Sequence, residues 1–199
     1  MAEDQVWVTS ARVGLAFVLV AACATDLRSR RIPNLVSAAA LLAGLIWHGL
    51  APDGAGVFDP YRPGGLGWRD SAAGAAISLA LLLVPYAVGL LGAGDVKLLA
   101  ALGAWVGIAS LPLMWLAVML SGALLACGWA VANGDVGGMF SRTAALLRAL
   151  AFRLLGMPGL ALLEISGPGK DGDRRLPFAL AISAGCATYG LGVYQTYFN

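Results

Sequence analysis

The sequence has little charge, little cysteine and almost no histidine. Charged residues make up 12% of its 199 positions and hydrophobic residues 59%, against about 25% and about 45–50% in an ordinary soluble domain. That imbalance excludes a disordered chain and a water-soluble enzyme, and it points to a polytopic membrane protein. Three cysteines, Cys23, Cys127 and Cys186, stand far apart in apolar runs with no CxxC pair. A zinc ribbon and a thioredoxin-type site are thereby excluded, and the three are expected to be lipid- or core-facing small apolar residues. His48 is the single histidine, so a multi-histidine metal centre is excluded. It follows Trp47 at the end of an apolar run and reads as an interfacial residue. No Walker A loop is present: Gly169-Lys170 is followed by Asp171, and Glu164 stands where the first glycine would be. A net charge of +2 gives no reason to expect a nucleic-acid partner.

The apolar residues are gathered into runs. A membrane span needs about 20 of them to cross roughly 30 Å of hydrocarbon. Six runs qualify: Val6–Thr25, Leu35–Leu50, Ser71–Leu91, Val96–Leu111, Pro112–Ala132 and Pro177–Phe198. The fourth and fifth are continuous in sequence, and Pro112, a natural first-turn residue of a new helix, marks the expected boundary. The first run is not read as a cleaved signal peptide, because Glu3 and Asp4 precede it where positive charge belongs. Placing the N-terminus outside puts ten of the thirteen basic residues in inner segments and leaves only Arg12, Arg62 and Arg69 outside. Both termini are then outside, and Arg12, within the first run, must snorkel outward. The expected fold is all-α, a single membrane domain over residues 1–199 with about six transmembrane helices. Lipid is its surrounding partner. Gly103 and Gly107 form one GxxxG helix-packing pattern.

Two connections are long. The outer one, Ala51–Asp70, is rich in Gly and Pro. The inner one, Asn133–Leu176, holds a segment Met139–Leu155 able to form a helix on the membrane surface, followed by a glycine-rich loop over Gly156–Asp173.

Most acids fall in these loops. Asp26 and Asp95 do not: one closes the first span and the other, in Gly92-Ala93-Gly94-Asp95, opens the fourth. Carboxylates against hydrocarbon are costly and suggest function. One crossing precedes Asp26 and three precede Asp95, so both stand on the inner side. Two carboxylates sharing a low-dielectric site do not both ionise readily. One can then act as base on a water while its protonated partner donates to a scissile carbonyl, as in aspartic proteases. Gly92 and Gly94 would let an extended peptide approach. The competing reading makes Asp95 an ordinary N-cap of the fourth helix. In Ile32-Pro33-Asn34, Asn34 reads as the N-cap of the second helix. Lys97 either holds the carboxylates or a substrate carbonyl, or snorkels to lipid phosphate.

These segments resemble the type IV prepilin peptidase family, the bacterial members of the GxGD membrane aspartic proteases. Asp26-Leu27-Arg28-Ser29-Arg30-Arg31-Ile32-Pro33-Asn34 is similar to the family's first aspartate motif. Gly92-Ala93-Gly94-Asp95-Val96-Lys97 is similar to its GxGDxK motif. Leu176-Pro177-Phe178-Ala179-Leu180-Ala181 is a weaker third match, without the glycine often found after the aromatic. The resemblance implies cleavage of the leader of a prepilin or pseudopilin at the cytoplasmic face of the bacterial inner membrane. Asp26 and Asp95 would be the catalytic pair, with Gly92, Gly94, Lys97, Pro33 and Asn34 as binding or positioning residues, and no metal, nucleotide or organic cofactor. With no CxxC motifs and a first aspartate at residue 26, the chain resembles the short, peptidase-only forms of tight-adherence (Flp-type) pilus systems. The alternative from another class is a small proton-coupled transporter or channel using the two aspartates as relay groups.

Overall fold

The computed structural model describes residues 2–29, 32–59, 61–87, 91–156 and 178–198. These form α1 (Ala2–Ser29), α2 (Asn34–Leu50), α3 (Gly67–Ala87), α4 (Ala93–Ala132), α5 (Val136–Leu154) and α6 (Phe178–Phe198). Among the described residues α1, α3 and α4 are long and apolar enough to cross a membrane, and α2 and the apolar part of α6 are shorter. The protein is an all-α membrane protein. Large apolar side chains such as Phe17, Leu35, Val84 and Leu124 are exposed on its helices, as a chain solvated by lipid allows. The chain divides into two compact units, Met1–Gly122 with Pro177–Asn199, and Ala123–Leu176.

In the first unit the helices are drawn together by small residues. A Cβ on Gly103 would overlap the Gly74 carbonyl and Ser78 Oγ, and one on Gly74 would overlap the Gly103 carbonyl. The Gly103–Gly107 pattern therefore does pack, and its partner is Gly74 of α3.

The expected boundary at Pro112 is corrected. Pro112 lies within helix, and the backbone instead breaks at Gly107 (φ 69°, ψ 177°). This left-handed φ costs a residue with a side chain far more than it costs glycine, and Asp70 Oδ2 and Leu66 Cδ1 fill the space a Cβ would take. The chain reverses there. Before the break it runs from Asp95 to Trp105; after it, Val118 meets Gly185 and Gly122 meets Ala181, antiparallel to α6. A broken helix leaves carbonyls without their partners four residues on. Ser71 Oγ donates to the Ala104 carbonyl at 2.8 Å and His48 Nε2 donates to that of Trp105 at 2.9 Å.

His48 is thus also corrected. It is 1% exposed, not interfacial. Its Nδ1 accepts the Leu66 N–H at 3.1 Å, which leaves the proton on Nε2. Its ring meets those of Trp47 and Trp105 edge-on. The loop between α2 and α3 is ordered by similar ties. Arg12 donates to the Val57 carbonyl from Nε and Nη2 at 3.3 and 3.2 Å. Asp59 Oδ1 accepts the N–H groups of Tyr61 and Arg62, and Phe58 packs edge-on against Tyr189. The start of α1, the end of α2 and the end of α6 therefore share one end of the unit with this loop.

In the second unit α4 ends at Gly134 (φ 67°). Gly134 N–H bonds Val131 and Asp135 N–H bonds Ala130, the paired bonds of a glycine-terminated helix. Asp135 then precedes α5. The helix expected over Met139–Leu155 runs Val136–Leu154. It buries Ala149 and leaves Phe140 and Leu147 exposed. Most of the glycine-rich loop expected over Gly156–Asp173 lies outside the described residues, as do Arg30, Arg31 and Pro177.

Candidate active site

The opposite end of the first unit is where the motif residues meet. Asp26 stands in the last turn of α1 and is 8% exposed. A carboxylate so buried needs a donor, and it finds one in another helix. Asp26 Oδ2 accepts the N–H of Ala179, in the first turn of α6, at 3.1 Å. That N–H is one of the orphan donors at a helix start, at the positive end of the helix dipole. Asp26 therefore does for α6 what an N-cap does within one chain segment.

Asp95 is the third residue of α4, not its N-cap. The cap position is Gly92, whose carbonyl accepts Val96 N–H at 3.1 Å and whose own N–H bonds the Asp95 carboxylate. This is the acidic half of a capping box. Asp95 is half-buried, and the Asp26 carboxylate acts on it as a neighbouring like charge. The two acids thus stand at the same end of the first unit, within electrostatic reach of each other, and the parity of crossings predicts that common side.

Ile32, Pro33 and Asn34 lie beside the second motif. Pro33 (φ −60°, ψ 140°) occupies the cap position of α2, with no side-chain cap. Its carbonyl accepts Val36 N–H at 3.0 Å. Asn34 is therefore not the N-cap expected; it is the first helical residue, and its Oδ1 accepts a bond from Lys97 Nζ at 2.9 Å. That contact joins the first motif to the second. Lys97 is tied to neither carboxylate by a described bond. A second contact joins the same segments: a Cβ on Gly94 would lie 3.2 Å from Ile32 Cβ. The room expected for a substrate at Gly94 is filled by the protein's own Ile32. At Gly92 a Cβ would lie 3.0 Å from Asp95 Oδ2.

Three residues with no site role expected from the sequence lie beside it: Ala179, Cys23 and Ser183. Cys23 was expected to be a plain apolar filler, yet its Sγ lies 3.0 Å from Ser183 Oγ and 3.4 Å from the Ala179 carbonyl. Its spacing, one turn before Asp26 on the same helix face, was the available signal. Cys186 is buried and Cys127 exposed. Among the described residues no three His, Cys, Asp or Glu side chains gather as a metal site would need.

A model of the type IV leader peptidase family matches residues 13–127, more than half of the chain, and takes in both aspartate segments. The chain belongs to this family. No curated protein and no solved structure matches it. Asp26 and Asp95 come from segments nearly seventy residues apart, both within the matched region of this leader peptidase. The protein secures one of them through α6, which lies beyond the matched region.

Proposed function

We propose that this leader peptidase is an aspartic endopeptidase that removes the leader of type IV prepilins or pseudopilins at the cytoplasmic face of the bacterial inner membrane. The observation that carries this reading is that Asp26 and Asp95 stand within electrostatic reach of each other at one end of the helical unit, where Lys97 bonds Asn34 and Ile32 packs on Gly94. The mechanism uses one carboxyl protonated and the other ionised. The ionised carboxylate takes a proton from water, and the protonated one donates to the scissile carbonyl oxygen. The tetrahedral intermediate then expels the amine, which takes a proton from one carboxyl while a hydroxyl of the intermediate returns one to the other. A leader at the surface and an apolar substrate helix in lipid would reach the site together, because it lies at the helix ends. A proton-coupled transporter is not favoured: its acids would be expected near the bilayer midplane, and these two stand at helix termini.

Asp26→Asn and Asp95→Asn keep the shape and remove the titratable group. Each is expected to lower cleavage of a purified prepilin by at least about 1000-fold, the scale lost when a member of a catalytic unit is removed. The unfolding temperature should remain close to that of wild type. Shortening of the substrate by either variant at near wild-type rate would sink the reading.

A further inference from the structure

Asp26 is aimed by a helix whose own start needs to be held. The first turn of any helix frays unless it is tied down, and here that turn carries the one described hydrogen bond to the Asp26 carboxylate. The tie is one turn deeper. Cys23 and Ser183 face each other across the α1–α6 contact at 3.0 Å, and the Cys23 thiol also reaches the Ala179 carbonyl at 3.4 Å. Ala179 is thereby gripped at both its backbone groups by α1: its N–H by Asp26, its carbonyl by Cys23. The helices come close enough for this because the contact is made of small residues, with Ala22 and Ala179 both fully buried.

We propose that Cys23 and Ser183 are positioning residues for Asp26, locking the first turn of α6 onto α1 so that the Asp26 carboxylate is held in its reactive orientation. The proposal rests on Asp26 being catalytic. It assigns the Phe178-Ala179 segment a physical role: its backbone, more than its side chains, is what the site uses. A misplacement of about 1 Å at a reacting group costs about 100-fold in rate, so a clamp of two weak hydrogen bonds is enough to matter.

The test compares the full-length protein with Cys23→Ala, Ser183→Ala and Cys23→Ser. Two readouts are taken: prepilin cleavage, and deuterium exchange of the α6 first-turn amides. Cys23→Ala and Ser183→Ala are each expected to lower kcat about tenfold with KM within about twofold, and to speed exchange at Ala179. Cys23→Ser retains a donor and acceptor and should recover kcat to within about threefold of wild type. Wild-type kcat in both alanine variants overturns the proposal. So does a loss that Cys23→Ser shares in full, because packing alone would then explain it. The exchange readout does not depend on cleavage. If the wild type cuts no prepilin, the peptidase reading fails, while faster exchange in the alanine variants still reports the clamp. Unchanged exchange in those variants overturns it.

Discussion

Asp26 and Asp95 carry the same side chain in different settings. Asp26 is buried and held by a second helix, while Asp95 is half-buried and folded back on the start of its own. The glycines of the second motif divide between these tasks. Gly94 makes room for Ile32, so Gly94→Ala forces the Ile32-Pro33-Asn34 turn outward. We expect a loss of about 1–3 kcal/mol, the usual cost of overpacking, read as a lower unfolding temperature together with a lower cleavage rate. Gly92→Ala places its methyl against the Asp95 carboxylate at an exposed position. It should reduce cleavage about 10- to 100-fold with little change in unfolding temperature. A Gly92→Ala protein as active as wild type would show that the Asp95 carboxylate need not sit where it does.

At the scale of the element, α4 shows why a proline is a poor guide to a helix boundary in a membrane. A proline early in a helix is tolerated, and so it marks no break by itself. The reversal at Gly107 needs what only glycine supplies: a left-handed φ, and a bare Cα beneath Asp70 and Leu66. The freed carbonyls are then met by Ser71 and His48, as a broken helix in lipid requires. Gly107→Val should therefore cost about 3 kcal/mol or more, from backbone strain and overlap together. Pro112→Ala should change stability by no more than about 1 kcal/mol. Thermal unfolding of both variants in one detergent decides; equal behaviour would contradict the assignment of the break. The GxxxG pattern was readable in the sequence. That its second glycine was also the turn was not, because φ is dictated by what packs on either side.

At the scale of the molecule, the end of the first unit with the aspartates and the end with the α2–α3 loop lie apart, so the side of the membrane on which each stands can be measured. On a background without native cysteines, Arg28→Cys and Ala93→Cys should react with an impermeant maleimide from one side of sealed vesicles, and Tyr61→Cys from the other. All three positions are exposed. We also propose that α5 rests on the membrane surface. Its segment holds three arginines and no acid, and Phe140 and Leu147 are exposed on it; positive charge beside an apolar stripe suits an anionic interface. Phe140→Cys should then be shielded from the same reagent by lipid and become reactive in detergent. Reaction of positions 28 and 61 from the same side would overturn the topology.

Composition and order along the chain determined that this is a helical membrane protein. They also predict that Asp26 and Asp95 stand on one side of it, because hydrophobic runs long enough to cross a bilayer are solvated by lipid, and counting them gives an expected side for every residue between. Contact is not contained in that count. Only the tertiary structure decided that Asn34 would accept from Lys97 rather than cap α2, that His48 would be buried beneath a broken helix, and that the first turn of α6 would hold Asp26. Each of these bonds joins segments far apart in the chain; those made by His48 and Asp26 are buried, where packing brought polar groups together out of water, while that between Lys97 and Asn34 lies at the surface.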